Sequence, residues 1–383
     1  MLVEENKPLA AFTTFSIGGP ARWLIDAASE DEIVEATGWA RERGVALFVL
    51  GGGSNLLVSD AGFDGLVLRV GLRGVSAGLI VDGNHSPEEF YEGHAAGAEA
   101  PLDLIGKDVR AKALTYRVAA GEDWDRFVQR TVEDGCAGIE CLAGIPGTVG
   151  GTPVQNVGAY GQEVASAIEQ VRAFDLEQRA FVEFTAAECG FAYRHSRFNS
   201  TDRGRYIVTR VDYRLAPGGA PTLRYAELQR AILENTPNGA EPSLVDVAKV
   251  VRRVRQSKGM LLVEGDPDCR SAGSFFKNPV VTEDQVRQIT ERSPKQPPRF
   301  PAGAGDENIG RVKVPAAWLI EQAGFRKGYA LGAAAISSRH TLAITNQGGA
   351  SAAEVLALAA QITNAVETRF GICLEMEPVM VGF

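Results

Sequence analysis

A chain of 383 residues with ordinary hydrophobic content is long enough for two or three domains with substantial cores. Its net charge of −9 offers no overall electrostatic footprint for nucleic acid, and no apolar run is long enough to span a membrane. The opening MLVEENKPLA lacks a basic segment followed by an apolar one, so a signal peptide is not expected and a cytoplasmic location follows. Cys136, Cys141, Cys189, Cys269 and Cys373 contain no CxxC, and His85, His94, His195 and His340 show no ligand spacing. Neither a disulfide framework nor a metal site is expected.

Arg22–Asp26 reads as a strand. Ser29 and Glu32 form a capping box ahead of a helix to about Arg43, with Ile33, Ala36 and Ala40 facing inward. Ala46–Leu50 is a short buried strand that runs straight into Gly51-Gly52-Gly53-Ser54-Asn55, and Leu56–Val58 and Leu66–Val70 follow. A helical crossover between such strands favours a small parallel sheet. A polyglycine turn between strands is phosphate-binding chemistry, because successive bare N–H groups form an anion-binding concavity. It is neither a GxGxxG fingerprint nor a P-loop.

Residues 84–107 are acidic and Gly/Ala-rich without clear periodicity, and read as an exposed loop insertion. Leu114–Ala119 resumes as a strand and Trp124–Val132 as a helix. The stretch Gly138–Gly161 is rich in glycine, carries Glu140 as its only charge, and includes Leu142, Ile145, Val149, Val154 and Val157. It reads either as a loop wrapping a pyrophosphate or as a tight set of buried turns between core strands. Two glycine-rich loops with buried flanks favour a large dinucleotide held between two lobes. Val171–Asp175, Ala180–Phe184 and Ile207–Leu215 suggest antiparallel strands.

Pro217–Pro221 marks a domain boundary. Ser243 caps a helix to about Gln256, with Leu244, Val247, Val251 and Val254 facing the core and Arg252, Arg253, Arg255 and Lys258 as cations at its C-terminus. Ser351 and Glu354 cap a last helix with an apolar stripe of Val355, Leu358, Ile362, Ala365 and Val366, closed by Gly371. Ser274, between Gly273 and Phe275, is either a hydroxyl bonded to nearby backbone or a proton donor in a dry slot. Glu375 and Glu377 fall on one face of a strand.

Several of these stretches, taken in order, resemble one family. They are Thr14-Phe15-Ser16-Ile17-Gly18-Gly19-Pro20-Ala21, the Gly51–Asn55 turn, Ile145-Pro146-Gly147 and Gln155–Gly161. Tyr193-Arg194, Arg255–Lys258, Gly273–Pro279 and Leu374–Glu377 continue the series. The family is UDP-N-acetylenolpyruvoylglucosamine reductase, in the subclass with a substrate-covering tyrosine loop. The likeness covers nearly the whole chain, and the order and number of the motifs carry it more than any one of them.

The resemblance implies an α+β fold: a two-lobed FAD-binding module, a small βαβ domain at 1–70 plus a mixed α+β domain at 71–216, with a third C-terminal α+β substrate domain at 217–383. It implies non-covalent FAD, NADPH as reductant, and UDP-N-acetylglucosamine enolpyruvate as substrate. Hydride passes from NADPH by way of FAD to the enol carbon. By resemblance, the cofactor contacts are Leu50, Gly51, Gly52, Gly53, Ser54, Asn55, Ile145, Pro146, Gly147, Gly150, Gly151, Gln155, Asn156, Gly158, Ala159 and Tyr160. Tyr193, Tyr225, Lys258, Asn278 and Lys313 hold the substrate. Arg194 polarises its carboxylate, Ser274 protonates carbon, and Glu377 is the catalytic carboxylate. The common Pro-Glu-Val reads Met-Glu-Pro here, which leaves Glu375 as the alternative to Glu377. A monomer without membrane insertion or nucleic-acid partner is expected. Two further readings are an FAD-dependent oxidase on the same flavin fold and a non-catalytic UDP-sugar-binding protein.

Overall fold

The structure, a computed structural model, describes residues 1–81, 84–85, 91–92, 113–235, 241–302 and 309–383. The chain folds into two compact units. The first holds Met1–Glu4, Leu24–Gly52 and Leu66–Arg255; the second holds Glu5–Trp23, Gly53–Gly65 and Gln256–Phe383. Sheets and helices are mixed in both, which is the α+β build.

The first unit contains helix α1 (Glu30–Glu42), where Ser29 Oγ accepts from Glu32 N and Ile33, Ala36 and Ala40 are buried. In its large sheet neighbouring strands among the described residues pair antiparallel. The spatial order is Ala180–Thr185, Ile168–Asp175, Tyr206–Pro217, Ala113–Ala119, Val75–Val81 and Asn84–His85. Asn84–His85 and Tyr91–Glu92 both pair with Val75–Val81, and the rest of 84–107 lies outside the described residues. Helix α2 (Trp124–Glu133) is capped by Asp123, whose Oδ1 accepts from Arg126 N at 2.8 Å. Its Trp124 and Phe127 pack on Tyr213, with ring centroids 5.8 and 5.1 Å away. These large buried rings hold the helix against the sheet.

Helices α3 (Ala226–Asn235) and α4 (Leu244–Ser257) follow, and α4 belongs to the first unit as far as Arg255. Two of the cations at the C-terminal end of α4 are bonded within this unit. Arg255 is 6% exposed and its Nε donates to Gly144 O at 3.0 Å, while Arg252 pairs with Asp125.

The second unit is built on helices α5 (Glu283–Glu291), α6 (Ala316–Gln322) and α7 (Ala352–Phe370). Val355, Leu358, Ile362 and Val366 of α7 join Phe15, Leu57, Phe275, Phe276, Leu319 and Ile320 in one core. Val379–Val381 pairs in parallel with Leu56–Val58. The Ser351–Glu354 capping box is present, and Gly371 ends α7 at φ 69°. A second cap comes from far away in the chain: Asp60 accepts from Ala352 N at 2.7 Å and Ala353 N at 3.1 Å. Among the described residues no helix is long and apolar enough to cross a membrane.

A carboxylate at a helix N-terminus satisfies orphan donors and complements the dipole, worth about 1 kcal/mol. Asp60→Ala is expected to lower the urea midpoint of the second unit by an amount equivalent to about 1 kcal/mol. Equilibrium unfolding checks this, and an unmoved midpoint would mean that the Ser351 box alone fixes the end of α7.

Candidate active site

In the first unit the two glycine loops meet backbone to backbone. A Cβ on Gly52 would lie 2.5 Å from Gly147 Cα and 2.7 Å from Thr148 N, so no side chain fits there. Among the described residues none accepts a hydrogen bond from the N–H of Gly51, Gly52, Gly147 or Thr148. Such a set of bare donors suits the diphosphate of a dinucleotide. Leu50 and Val149 are buried, and Gly151 faces open space. The stretch is thus both a set of core turns and a backbone cradle, and this is the observation on which FAD fits.

The far end of the stretch is locked by its own side chains. Asn156, at φ 44°, donates Nδ2 to Glu163 Oε2 at 2.9 Å and to Ala192 O at 3.0 Å, and accepts from Ala165 N at 3.1 Å. Both of its N–H donors are engaged, so its side chain shapes the loop, and only its backbone is left for a cofactor. Arg194, at φ 55°, donates Nη2 to Gly158 O at 3.0 Å and lies over the Tyr193 ring. The expected carboxylate-binding arginine therefore stands at the Gly158–Tyr160 end of the glycine-rich stretch. Tyr160 and Tyr225 meet edge to face at 5.8 Å. Burial pushes the Tyr160 phenol up to about 12 despite the pull of the Arg255 charge, and burial raises Tyr225 as well.

Beneath them is a residue that the sequence marked only as a lone charge. Glu140 is fully buried. Its Oε1 accepts from Thr222 N at 2.7 Å and Gln162 Nε2 at 3.2 Å, and its Oε2 accepts from Gly138 N at 2.8 Å. Gln162 Oε1 in turn accepts from Cys141 N at 2.9 Å. The carboxylate closes the base of the glycine-rich stretch and fixes the approach to Tyr225. Hydrogen bonds from N–H groups compensate its burial.

The second unit carries the other half of the expected site residues. Phe276 and Met376 form an antiparallel bridge flanked by Glu377 N to Phe275 O and Lys277 N to Glu375 O, each 2.9 Å. This brings Ser274 and Glu377, a hundred residues apart in sequence, onto neighbouring segments. Glu375 is exposed and pairs with Lys277, whereas Glu377 is half-buried. Ser274 is fixed on both sides: Gly273 N donates to Ser271 Oγ at 3.2 Å, and Phe275 N donates to Leu342 O at 2.7 Å. Asn278 Oδ1 accepts from Ala316 N at 2.9 Å and so caps α6, leaving its amide N–H groups for a ligand. Lys313 lies opposite Val280 in a short strand pair. Lys258 follows α4, where Arg339 Nη1 donates to Gln256 O at 3.0 Å while the same guanidinium pairs with Asp266 and Asp268. Among the described residues no cluster of His, Cys, Asp and Glu is arranged to hold a metal.

Residues 266–381 match the C-terminal domain of UDP-N-acetylenolpyruvoylglucosamine reductase, and residues 21–82 and 101–177 match an FAD binding domain. The reductase of Streptomyces coelicolor is 43% identical over 99% of this chain and 90% of its own length. The chain belongs to the UDP-N-acetylenolpyruvoylglucosamine reductase family. The reductase of Thermobifida fusca is 42% identical, over 99% of this chain and 98% of its own. The crystal structure of the Thermus caldophilus reductase aligns over 100% of this chain and 99% of its own with a TM-score of 0.61 at 27% identity. The FAD binding match passes over 83–100, most of which falls in the acidic segment 84–107.

For a chain of this reductase family, loss of the Glu140 carboxylate strips acceptors from the part-buried N–H groups of Thr222 and Gly138. Each such loss costs about 1–3 kcal/mol. Glu140→Leu is therefore expected to lower the thermal midpoint by several degrees and to weaken FAD retention. Differential scanning fluorimetry and flavin content after gel filtration check it; a wild-type midpoint would contradict the network's role.

Proposed function

We infer that the chain reduces the enolpyruvyl group of UDP-N-acetylglucosamine enolpyruvate to the lactyl ether of UDP-N-acetylmuramate, a step in peptidoglycan precursor synthesis. FAD is the cofactor and NADPH the reductant. The observation that carries the residue roles is the backbone bridge that sets Glu377 beside Phe275 and Ser274. The reductase-type C-terminal domain at 266–381 speaks against both the oxidase and the non-catalytic reading.

FAD, when bound, takes hydride from NADPH and supplies it to the terminal enol carbon. The bare amides of Gly51, Gly52, Gly147 and Thr148 would hold its diphosphate, and Gly53, Ser54, Asn55 and residues of the Ile145–Tyr160 loop would be further cofactor contacts. Arg194 pairs its planar guanidinium with the substrate carboxylate and draws charge from the enol carbon. Glu377 acts with Arg194 on the charge that develops at the carboxylate and enol. Ser274 gives a proton to the carbon next to the one that receives hydride, so one hydride and one proton saturate the double bond. Tyr193, Tyr225, Lys258, Lys313 and the amide of Asn278 grip the sugar nucleotide. The lobes at 1–70 and 71–216 serve the flavin, and residues from 217 on serve the substrate. The enzyme works in the cytoplasm as a monomer, without a nucleic-acid partner.

Non-covalent FAD is expected to leave the protein completely on acid precipitation. Yellow colour retained in the pellet would contradict it. Ser274→Ala is expected to bleach with NADPH at a near-normal rate but to reoxidise with the enolpyruvyl substrate at least about 100-fold more slowly, within the usual range for general acid catalysis. Rapid-mixing absorbance measures both steps, and a wild-type reoxidation rate would move the donor role elsewhere.

A further inference from the structure

The motif Thr14–Ala21 has no part in the roles above, yet it belongs to the same unit as Ser274 and Glu377. Thr14 makes two different bonds. Its backbone N donates to Gly53 O at 3.1 Å, which ties it to the polyglycine turn. Its hydroxyl donates to Ser271 O at 2.6 Å, across 257 residues of sequence. Ser54 O stands 3.4 Å from the same hydroxyl, at the edge of bonding range, so the single hydroxyl proton goes to Ser271.

Ser271 opens the turn that delivers Ser274. It is 6% exposed, and its own Oγ accepts from Gly273 N, where the chain bends at φ 75°. Neighbouring contacts hold the same motif in place. Asn346 donates Nδ2 to Phe15 O at 3.1 Å and Ser16 O at 3.3 Å, and its backbone N donates to Arg270 O at 2.9 Å. The Phe15 ring meets Phe275 edge to face at 6.3 Å. On the other side of the turn, Asn55 Nδ2 donates to Glu377 O at 3.3 Å and Asn55 O accepts from Val379 N at 2.9 Å. The Gly53–Asn55 turn is thus bonded toward both strands of the Phe276–Met376 bridge.

We propose that Thr14 is a positioning residue that sets Ser274 in register with the polyglycine turn through its hydroxyl bond to Ser271 O. The proposal rests on the reading of Ser274 as proton donor. Hydride and proton must reach adjacent carbons of one substrate, so the donor's placement relative to the flavin turn governs the second half-reaction. The first half-reaction needs no proton at a carbon and does not depend on that placement. A donor displaced by a fraction of an ångström to 1 Å loses about ten- to a hundredfold in rate.

The test compares Thr14→Val, Thr14→Ala and Thr14→Ser, with Ser274→Ala beside them, each as FAD-loaded enzyme under anaerobic rapid mixing. Valine keeps the shape and the backbone bond to Gly53 while removing the hydroxyl; serine keeps the hydroxyl. Expected is near-normal bleaching by NADPH in Thr14→Val, reoxidation by the enolpyruvyl substrate slowed about tenfold or more, and recovery in Thr14→Ser. Wild-type reoxidation in Thr14→Val overturns the proposal. Equal slowing of both half-reactions, or loss of FAD from both Val and Ala variants, overturns it in favour of a purely structural hydroxyl. If Ser274→Ala itself reoxidises normally, the donor assignment fails first and takes the proposal with it.

Discussion

Where the two glycine loops cross, backbone lies against backbone. At Gly52 the smallest side chain would penetrate Gly147, and at Gly53, with φ 63°, a Cβ would lie 1.8 Å from Phe12 O. Among the described residues none accepts from the N–H groups of Gly51, Gly52, Gly147 and Thr148. A diphosphate is the group that such donors fit. The arrangement also sets a limit on the surroundings: loops this lacking in side chains must be held from outside.

Charged side chains do much of that holding. Glu140 closes one loop at its base with three N–H groups and no ion pair among the described residues. Arg255, nearly as deeply buried, reaches Gly144 O from α4. Burial lowers the affinity of this guanidinium for its proton, offset by Tyr160 and Asp125. Leaving either charge without its partner would be expensive, which makes these contacts stiff supports. The same economy governs the second unit, where Asp60 and Asn346 reach across hundreds of residues to cap α7 and to hold the Phe15–Ser16 turn.

What the sequence made legible was local. The Ser351 capping box, the αL glycine at 371 and the strands around 113–119, 168–175, 180–185 and 206–217 are signalled by residues close together in sequence, and they are present, whereas at Ser29 only half of the expected box forms, because Glu32 Oε2 accepts from Ala28 N and not from Ser29 N. The glycine loops and the reductase motifs were legible because bare backbone and short polar runs are distinctive in type and order. The long-range polar contacts were not. Arg255 looks like a cation suited to a helix C-terminus, and nothing near Arg255, Asp60 or Thr14 in sequence names partners as distant as Gly144, Ala352 or Ser271. The pair Glu375 and Glu377 was ambiguous for a different reason. A strand puts both on one face, whereas in the fold Glu375 is exposed and pairs with Lys277 and Glu377 is half-buried.

In the proposed reaction one flavin mediates both halves of an enolpyruvyl reduction. Anaerobic addition of one equivalent of NADPH, followed by one equivalent of UDP-N-acetylglucosamine enolpyruvate, tests it directly by flavin absorbance. The account predicts full bleaching by NADPH and full recovery of the oxidised spectrum by the enolpyruvyl substrate, with UDP-N-acetylmuramate formed in equal amount. Bleaching that the enolpyruvyl substrate does not reverse, while oxygen does, would contradict it.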